Sequence, residues 1–310
     1  MNGWQLVVFF SSRRSLTSAA TVLHSAPGRV MGTVPEPPTR TPRSARQAPE
    51  GASRERDVAV HIDRLDVSYG PIEAVRDATV DIQTGSVVAI IGPNGSGKST
   101  LLSTISGLVS PTKGRVLVHG RPPKQGRQRV AHVLQSTVAN EALPLTVIET
   151  VRMGTYAHTG LHRRLSRQDR RAIDDAVERM QLGDLTNRQL HELSGGQRQR
   201  TYVAQGLAQQ ADVLLLDEPI TGLDLITQET ITSVMTSERD RGTAVALTTH
   251  DVGTARLADQ VILIATEIVA AGPPGEVLTA ENLAVAYGGH LHVLDDGSVV
   301  LDDPHQHRLS

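Results

Sequence analysis

The stretch from residue 87 to residue 105 constrains the fold of this chain more than any other. It starts with the apolar run Val87–Ile91, continues through the glycine-rich loop 92–100 and ends in the helix-like run 101–105. An uninterrupted apolar run is typical of a strand covered on both faces. The loop matches the pattern G-x-x-x-x-G-K-[ST], which sits between a strand and a helix. The sequence therefore predicts an α/β domain built around a strand, a phosphate-binding turn and a helix.

This loop supplies candidate nucleotide-binding residues. Its glycines let the backbone turn tightly, so that successive N–H groups can point at phosphate oxygens. Lys98 is expected to reach the β- and γ-phosphates, and Ser99 is expected to ligate Mg²⁺. The full candidate set is Gly92, Pro93, Asn94, Gly95, Ser96, Gly97, Lys98, Ser99 and Thr100.

Two adjacent carboxylates, Asp217 and Glu218, follow the apolar run Val213–Leu216. A carboxylate at the end of a strand beside the phosphate loop can hold Mg²⁺ directly or through water, which we expect of Asp217. Glu218 is then placed to act as general base toward an attacking water. The alternative, a solvated acidic pair at a strand end, is disfavoured by the phosphate loop.

The first 55 residues differ from the rest of the chain. They are rich in Ser, Arg and Pro, have no acidic residue before Glu36, and carry five prolines between positions 35 and 49. Prolines at that density exclude a regular helix or central strand. The composition predicts a disordered extension or a misassigned start, with Met31 as the alternative start. A targeting peptide is a competing interpretation.

Residues 56–290 have the pattern of one α/β domain. Val58, Val60 and Ile62 alternate with polar neighbours, as in antiparallel strands with one buried face. The apolar runs 130–134, 213–216 and 244–248 resemble the central strand at 87–91. The pattern predicts a mostly parallel sheet with helices on both faces and an antiparallel β subdomain.

An inserted helical subdomain is expected at residues 136–196. Ser166 and Asp169 have capping-box spacing, and Ile173, Val177 and Met180 then fall on one helical face. Residues 291–310 form the predicted C-terminal segment. It contains a hairpin with its turn at Asp296-Gly297 and a histidine-containing tail. We interpret His290, His292, His305 and His307 as exposed without a site role, and a regulatory zinc site is the alternative.

Composition excludes several classes of protein. The chain has no cysteine, so disulfides and thiolate metal sites are excluded. The net charge of −2 over 310 residues gives no argument for nucleic-acid binding. No apolar stretch reaches the roughly 18 to 20 residues that cross a bilayer, so a transport role would need a separate membrane polypeptide. Trp and Phe occur only in the first ten positions, which predicts an aliphatic core.

The pentapeptide Leu193-Ser194-Gly195-Gly196-Gln197 resembles the signature motif of ATP-binding-cassette (ABC) ATPases. Other positions match that family in the right order, and the resemblance extends over residues 58 to about 290. They are Tyr69, where the family stacks an aromatic ring on adenine; Gln135, the Q-loop glutamine; Asp224 of the D-loop; and His250, the switch histidine. The resemblance implies the P-loop NTPase fold of ABC ATPases, with ATP and Mg²⁺ as cofactors.

The resemblance also implies a division of labour between two copies of the chain. The signature would bind the γ-phosphate of ATP held by the opposite protomer, so that a homodimer closes around two ATP molecules. The implied catalytic residues are Glu218, His250, Gln135 and Lys98, and the implied Mg²⁺ ligands are Ser99, Gln135 and Asp217. The helical insert would report phosphate state to a membrane permease.

Further segments narrow the subclass. Residues 133–136, 142–147, 151–154 and 219–224 resemble zinc/manganese importer ATPases, although Leu134 stands where many relatives have proline. The resemblance implies an integral membrane permease, an extracytoplasmic solute-binding protein and a peripheral place on the cytoplasmic face of the membrane. ATPases of iron-chelate and cobalamin importers are the alternative. The family resemblance disfavours an exporter subunit. A soluble non-transport ABC ATPase is also disfavoured, because the long coiled coil, zinc-binding cysteines or second cassette common in that class are missing.

Overall fold

The computed structural model describes residues 58–134, 144–159, 164–288, 291–293 and 299–301. The predicted extension 1–55, Gln135 and the histidines at 290, 305 and 307 lie outside the described residues. The strands are β1 (Val58–Tyr69), β2 (Ile72–Gln83), β3 (Val87–Ile91), β4 (Lys113–Val118), β5 (Val130–Val133), β6 (Val213–Leu216), β7 (Ala244–Thr249), β8 (Gln260–Ala265), β9 (Glu267–Gly272), β10 (Leu291–Val293) and β11 (Val299–Leu301). The helices are α1 (Lys98–Ile105), α2 (Val147–Met153), α3 (Tyr156–Thr159), α4 (Arg167–Arg179), α5 (Gly195–Ala208), α6 (Leu225–Asp240), α7 (Val252–Ala255), α8 (Pro274–Val277) and α9 (Ala280–Tyr287).

A six-stranded sheet with the order β5-β6-β7-β3-β8-β9 forms the centre of the fold. The neighbouring pairs β5–β6, β6–β7, β7–β3 and β3–β8 are parallel, and β9 runs antiparallel to β8. Every residue of β3 is buried, as expected for a strand covered on both faces. The predicted, mostly parallel sheet is therefore confirmed, although the sequence pattern alone did not indicate β8 or β9.

The predicted antiparallel subdomain is a three-stranded sheet with the order β2-β1-β4. β1 pairs antiparallel with both neighbours. Val60 and Ile62 are fully buried along β1, as the alternating pattern predicts, whereas Val58 at the start of the strand is 38% exposed. Leu65 is also buried, after a register shift between Ile62 and Leu65.

The central sheet separates two hydrophobic clusters. Val87, Ala89 and Ile91 of β3 belong to the cluster shared with α2, α4, α5, α6 and α9. Val88 and Ile90 belong to the cluster shared with α1 and the antiparallel sheet. In the part of the chain that the structure describes, the buried members of both clusters are Val, Leu, Ile and Ala together with Met180 and Met235, and none is aromatic. The core is therefore built mainly from aliphatic side chains, as the composition predicts.

Helices α2 to α5 lie between β5 and β6 along the chain. Ser166 and Asp169 form the expected capping box, with the Ser166 hydroxyl accepting from the Asp169 N–H and the Asp169 carboxylate accepting from the Ser166 N–H. Ile173, Val177 and Met180 are buried on one face of α4 and at its end. Among the residues that the structure describes, no helix has both the length and the apolar character needed to cross a bilayer.

Candidate nucleotide and catalytic site

The loop between β3 and α1 lies tightly against two strands. Gly97 has a φ of 100°, in the left-handed region that favours glycine, and a Cβ there would stand 2.3 Å from the carbonyl oxygen of Ala74 in β2. A Cβ on Gly92 would stand 2.0 Å from the carbonyl oxygen of Ile264 in β8. Because no side chain fits at either distance, both glycines are required for this loop path.

Lys98 begins α1 and turns its ammonium group back into the loop. Its Nζ donates to the carbonyl oxygens of Gly92 at 2.8 Å and Pro93 at 2.9 Å. Burial lowers the pKa of Lys98, and the charges of Glu218 and Asp217 act in the opposite direction. The cation therefore lies inside the loop and within electrostatic reach of both predicted carboxylates.

Three elements meet at the carboxylate of Asp217. Its Oδ1 accepts the hydroxyl of Ser99 at 3.0 Å, from α1, and the hydroxyl of Thr248 at 2.6 Å, from β7. Asp217 itself follows β6 and is buried. The structure thus brings together Ser99 and Asp217 as the sequence predicts. A hydroxyl and a carboxylate are the oxygen ligands that suit Mg²⁺, so the donor set fits that ion.

Glu218 adopts an uncommon backbone conformation. Its φ is 47°, left-handed for a residue with a Cβ. Its backbone N–H donates to Thr248 Oγ1 at 2.8 Å. The chain bends at Asp217 and Glu218, directly after β6, so that Glu218 lies beside the predicted metal ligand Asp217.

The signature pentapeptide forms the N-terminus of α5. Ser194 is the N-cap, its Oγ accepting the N–H of Gln197 at 3.2 Å, while Gln197 Oε1 accepts the N–H of Ser194 at 3.0 Å. Leu193 is buried, Ser194 and Gly195 are exposed, and Gly196 is buried. The exposed cap presents the free backbone N–H groups of a helix start to the outside of the chain, which suits an anion.

Two further predicted residues are exposed at strand ends. Tyr69 ends β1 and is 50% exposed. His250 follows Thr249, which pairs with Ile91 of β3, so His250 lies at the same edge of the sheet as the phosphate loop.

Asp224 caps α6 by accepting the N–H and hydroxyl of Thr227, and these bonds lower its pKa. Gln135 is outside the described residues.

Sequence reasoning missed two residues of the site. Thr248 bridges Asp217 and Glu218. The signal that could have found it was the pair of hydroxyl residues, Thr248 and Thr249, at the end of an otherwise apolar strand. Thr266, between β8 and β9, has a φ of 66°. Its N–H donates to the carbonyl oxygen of Ser96 at 2.9 Å, and its own carbonyl oxygen accepts the N–H of Arg76 at 2.8 Å. Through these two bonds Thr266 connects the phosphate loop to β2. No local sequence pattern indicates this residue.

The site consists of a strand, a glycine loop and a helix, with Lys98, Ser99 and Asp217 at the carboxyl edge of a parallel sheet. This arrangement defines a P-loop nucleotide-binding protein.

The family described as ABC transporter matches residues 75–221. A manganese transport system ATP-binding protein of Listeria innocua is 36% identical over 230 residues, which are 74% of this chain and 96% of the relative. A zinc transport system ATP-binding protein of Treponema pallidum is 38% identical over 234 residues, covering 75% of this chain and 88% of the relative.

A bacterial ABC transporter cassette solved as a dimer is 26% identical, with a TM-score of 0.62 over 69% of this chain and 98% of the cassette. The chain belongs to the family of ABC transporter ATP-binding proteins. It is a nucleotide-binding ATPase subunit, and subunits of this family dimerise and pair with membrane permeases.

Proposed function

We propose that this chain is the ATP-binding subunit that drives an ABC importer for zinc or manganese ions. The observation that carries this proposal is the near-complete coverage, 96% and 88%, of two relatives named for manganese and zinc transport. The ABC transporter family match, over residues 75–221, includes the phosphate loop and the helices between β5 and β6. The family resemblance assigns those helices to permease coupling.

ATP binding is assigned to the loop between β3 and α1. The backbone N–H groups of residues 92–100 and the partial charge at the start of α1 receive the phosphates. Lys98, now held by two loop carbonyls, exchanges those acceptors for the β- and γ-phosphate oxygens. Tyr69 stacks on the adenine ring. Its exposed ring at the end of β1 supports that role.

Hydrolysis is assigned to the carboxyl edge of the sheet. Ser99, Asp217 and Gln135 would hold Mg²⁺, which supplies charge neutralisation at the phosphates when it is bound. Glu218 accepts the proton of the attacking water as general base. His250 lies at the same edge and completes the site on the γ-phosphate side.

The second half of each site is assigned to another copy of the chain. The exposed N-terminus of α5, with Ser194 as its cap, binds the γ-phosphate held by the first copy. Asp224 lies at the same surface, because Gly196 of α5 packs against it. The homodimer thus closes around two ATP molecules. Its opening after hydrolysis transmits force to the permease.

The partner proteins follow from this assignment. The permease supplies the membrane path and holds the ATPase at the cytoplasmic face of the membrane. An extracytoplasmic solute-binding protein delivers the ion to the permease. This location is tested by expressing the chain with and without the permease. We expect the chain in the membrane fraction only when the permease is co-expressed.

The cargo is tested by elemental analysis of cells that lack the gene. We expect zinc or manganese to fall in the deletion strain and to recover with the wild-type gene. A gene carrying Lys98→Ala is the matched control and should not restore the metal. Normal zinc and manganese together with lost iron or cobalamin would assign the chain to the alternative importer class.

A further inference from the structure

Thr248 is a polar residue in the middle of the domain. It belongs to β7, which lies between β6 and β3 in the central sheet, and it pairs with Ile90. Its side chain is 0% exposed, and the preceding residues 244–247 of the strand are all aliphatic. A hydroxyl without water must find its partners inside the protein, so the contacts of Thr248 define its role.

The hydroxyl of Thr248 joins the two acidic residues of the site. Oγ1 donates to Asp217 Oδ1 at 2.6 Å and accepts the backbone N–H of Glu218 at 2.8 Å. A hydroxyl has one donor and two acceptor lone pairs, so both bonds can be made at once. Since Asp217 Oδ1 also accepts from Ser99 at 3.0 Å, one chain of hydrogen bonds connects Ser99, Asp217, Thr248 and Glu218.

The bond to Glu218 stabilises a backbone conformation that is unfavourable by itself. A residue with a Cβ at a φ of 47° persists only where its surroundings hold it. The turn at Glu218 decides the direction in which its carboxylate leaves the sheet. Removing the acceptor would leave the Glu218 N–H without this partner and would loosen the turn.

The bond to Asp217 fixes the other carboxylate. With Oδ1 held by two hydroxyls, the rotation of the carboxylate about its Cβ–Cγ bond is restricted. A carboxylate oriented in advance binds a metal ion better than one that must be ordered on binding.

We propose that Thr248 is a positioning residue that fixes the orientation of the Asp217 carboxylate and the backbone turn at Glu218 relative to each other. It acts through them, with its hydroxyl as the shared anchor for the metal-binding carboxylate and for the turn that presents the general base. This inference rests on the ATPase site proposed above.

Thr248→Val tests the proposal because valine has nearly the same shape without the hydroxyl. Thr248→Ser keeps the hydroxyl. Thr230→Val is the matched control, since Thr230 is also buried and its hydroxyl donates to the carbonyl oxygen of Ile226 within α6, away from the site. Calorimetric titration of the full chain with a non-hydrolysable ATP analogue, with and without Mg²⁺, separates metal-dependent from metal-free affinity.

For Thr248→Val we expect the Mg²⁺-dependent gain in affinity to fall about 10-fold and kcat to fall about 10- to 100-fold, as for other residues that orient metal ligands. The metal-free affinity should stay at the wild-type value, because the phosphate loop is unchanged. Thr248→Ser should restore both quantities to within about threefold, and Thr230→Val should behave as wild type. Should Thr248→Val fail to fold, Thr248→Ala replaces it, and its comparison with Thr248→Ser isolates the hydroxyl because these two variants differ in that group alone.

Wild-type metal dependence and kcat in a folded Thr248→Val protein would overturn the proposal. So would a Thr248→Ser protein impaired as severely as Thr248→Val, because packing alone would then explain both. Absence of Mg²⁺-dependent nucleotide binding in the wild-type chain would instead contradict the proposed ATPase site itself.

Discussion

The carboxylate of Asp224 at the start of α6 lies directly against Gly196 in the first turn of α5. A Cβ added to Gly196 would stand 2.9 Å from Asp224 Oδ2 and 2.8 Å from Thr227 Oγ1. The D-loop aspartate and the signature glycine of one chain are therefore in contact. A side chain at position 196 would therefore have to displace the cap of α6.

Gly196→Ala should destabilise the chain relative to Gly195→Ala. Nothing lies within 4 Å of a Cβ on Gly195, whereas a Cβ on Gly196 would displace the Asp224 cap. Alanine favours the helix at both positions by up to about 1 kcal/mol, and overpacking costs about 1–3 kcal/mol at Gly196 only. We expect the two free energies of unfolding, measured in urea without nucleotide, to differ by about 1–3 kcal/mol. Equal stabilities would show that this contact is absent.

His132 should make the chain sensitive to mild acid. It lies in β5, with Nδ1 3.0 Å from Ser106 Oγ, and burial lowers its pKa to about 4, although Asp217 acts in the opposite direction. In the unfolded chain His132 is protonated below about pH 6.5, whereas in the folded chain it stays neutral until about pH 4. The free energy of unfolding therefore decreases as the pH falls through this window. At pH 5 the loss is about 2 kcal/mol.

The matched variant for this effect is His132→Gln, which stays neutral and can still bond Ser106. Urea unfolding at pH 7.5 and pH 5 measures the difference. We expect the wild type to lose about 2 kcal/mol more than the variant between the two values. Parallel losses in both proteins would contradict the assignment of the effect to His132.

Glu238→Gln should weaken the attachment of α4 to α6. Glu238 Oε1 lies 2.7 Å from Arg179 Nη1, and the side chains are 13% and 14% exposed. Removing the charge leaves a largely buried guanidinium with weaker pairing, at a cost of about 2 kcal/mol. Asp240→Asn is the control, because its pair with Arg239 is exposed and such pairs contribute about 0–1 kcal/mol. Thermal unfolding measures the Tm of both variants. Equal decreases in Tm would show that the pair of Arg179 and Glu238 stabilises the fold no more than the exposed pair.

Features set by neighbouring residues could be predicted from the sequence. The capping box at Ser166 and Asp169 follows from a spacing of three residues, and the structure has it. The strand, loop and helix around Lys98 follow from a motif with a known context, and the structure has these too. Each pattern lies within a few positions along the chain.

Features that depend on distant parts of the chain could not be predicted. Thr266 contacts the phosphate loop only because the sheet order places β8 beside β3, and its left-handed φ falls on a residue that has a Cβ. Thr248 gains its role from Asp217, which follows the adjacent strand β6 and lies 31 residues before it in the sequence. Sheet order and side-chain direction are set by the whole fold, so single-sequence patterns do not carry them.

In the proposed mechanism, two copies of this chain share two ATP sites, and Glu218 activates water in each. Glu218→Gln keeps the binding residues and removes the base, so it should bind ATP without completing hydrolysis. Light scattering after size exclusion in saturating ATP and Mg²⁺ measures the mass of this variant directly. We predict a stable dimer in ATP, a monomer without it, and turnover reduced by at least about 100-fold. A variant that remains monomeric in ATP and hydrolyses it at the wild-type rate would contradict the claim.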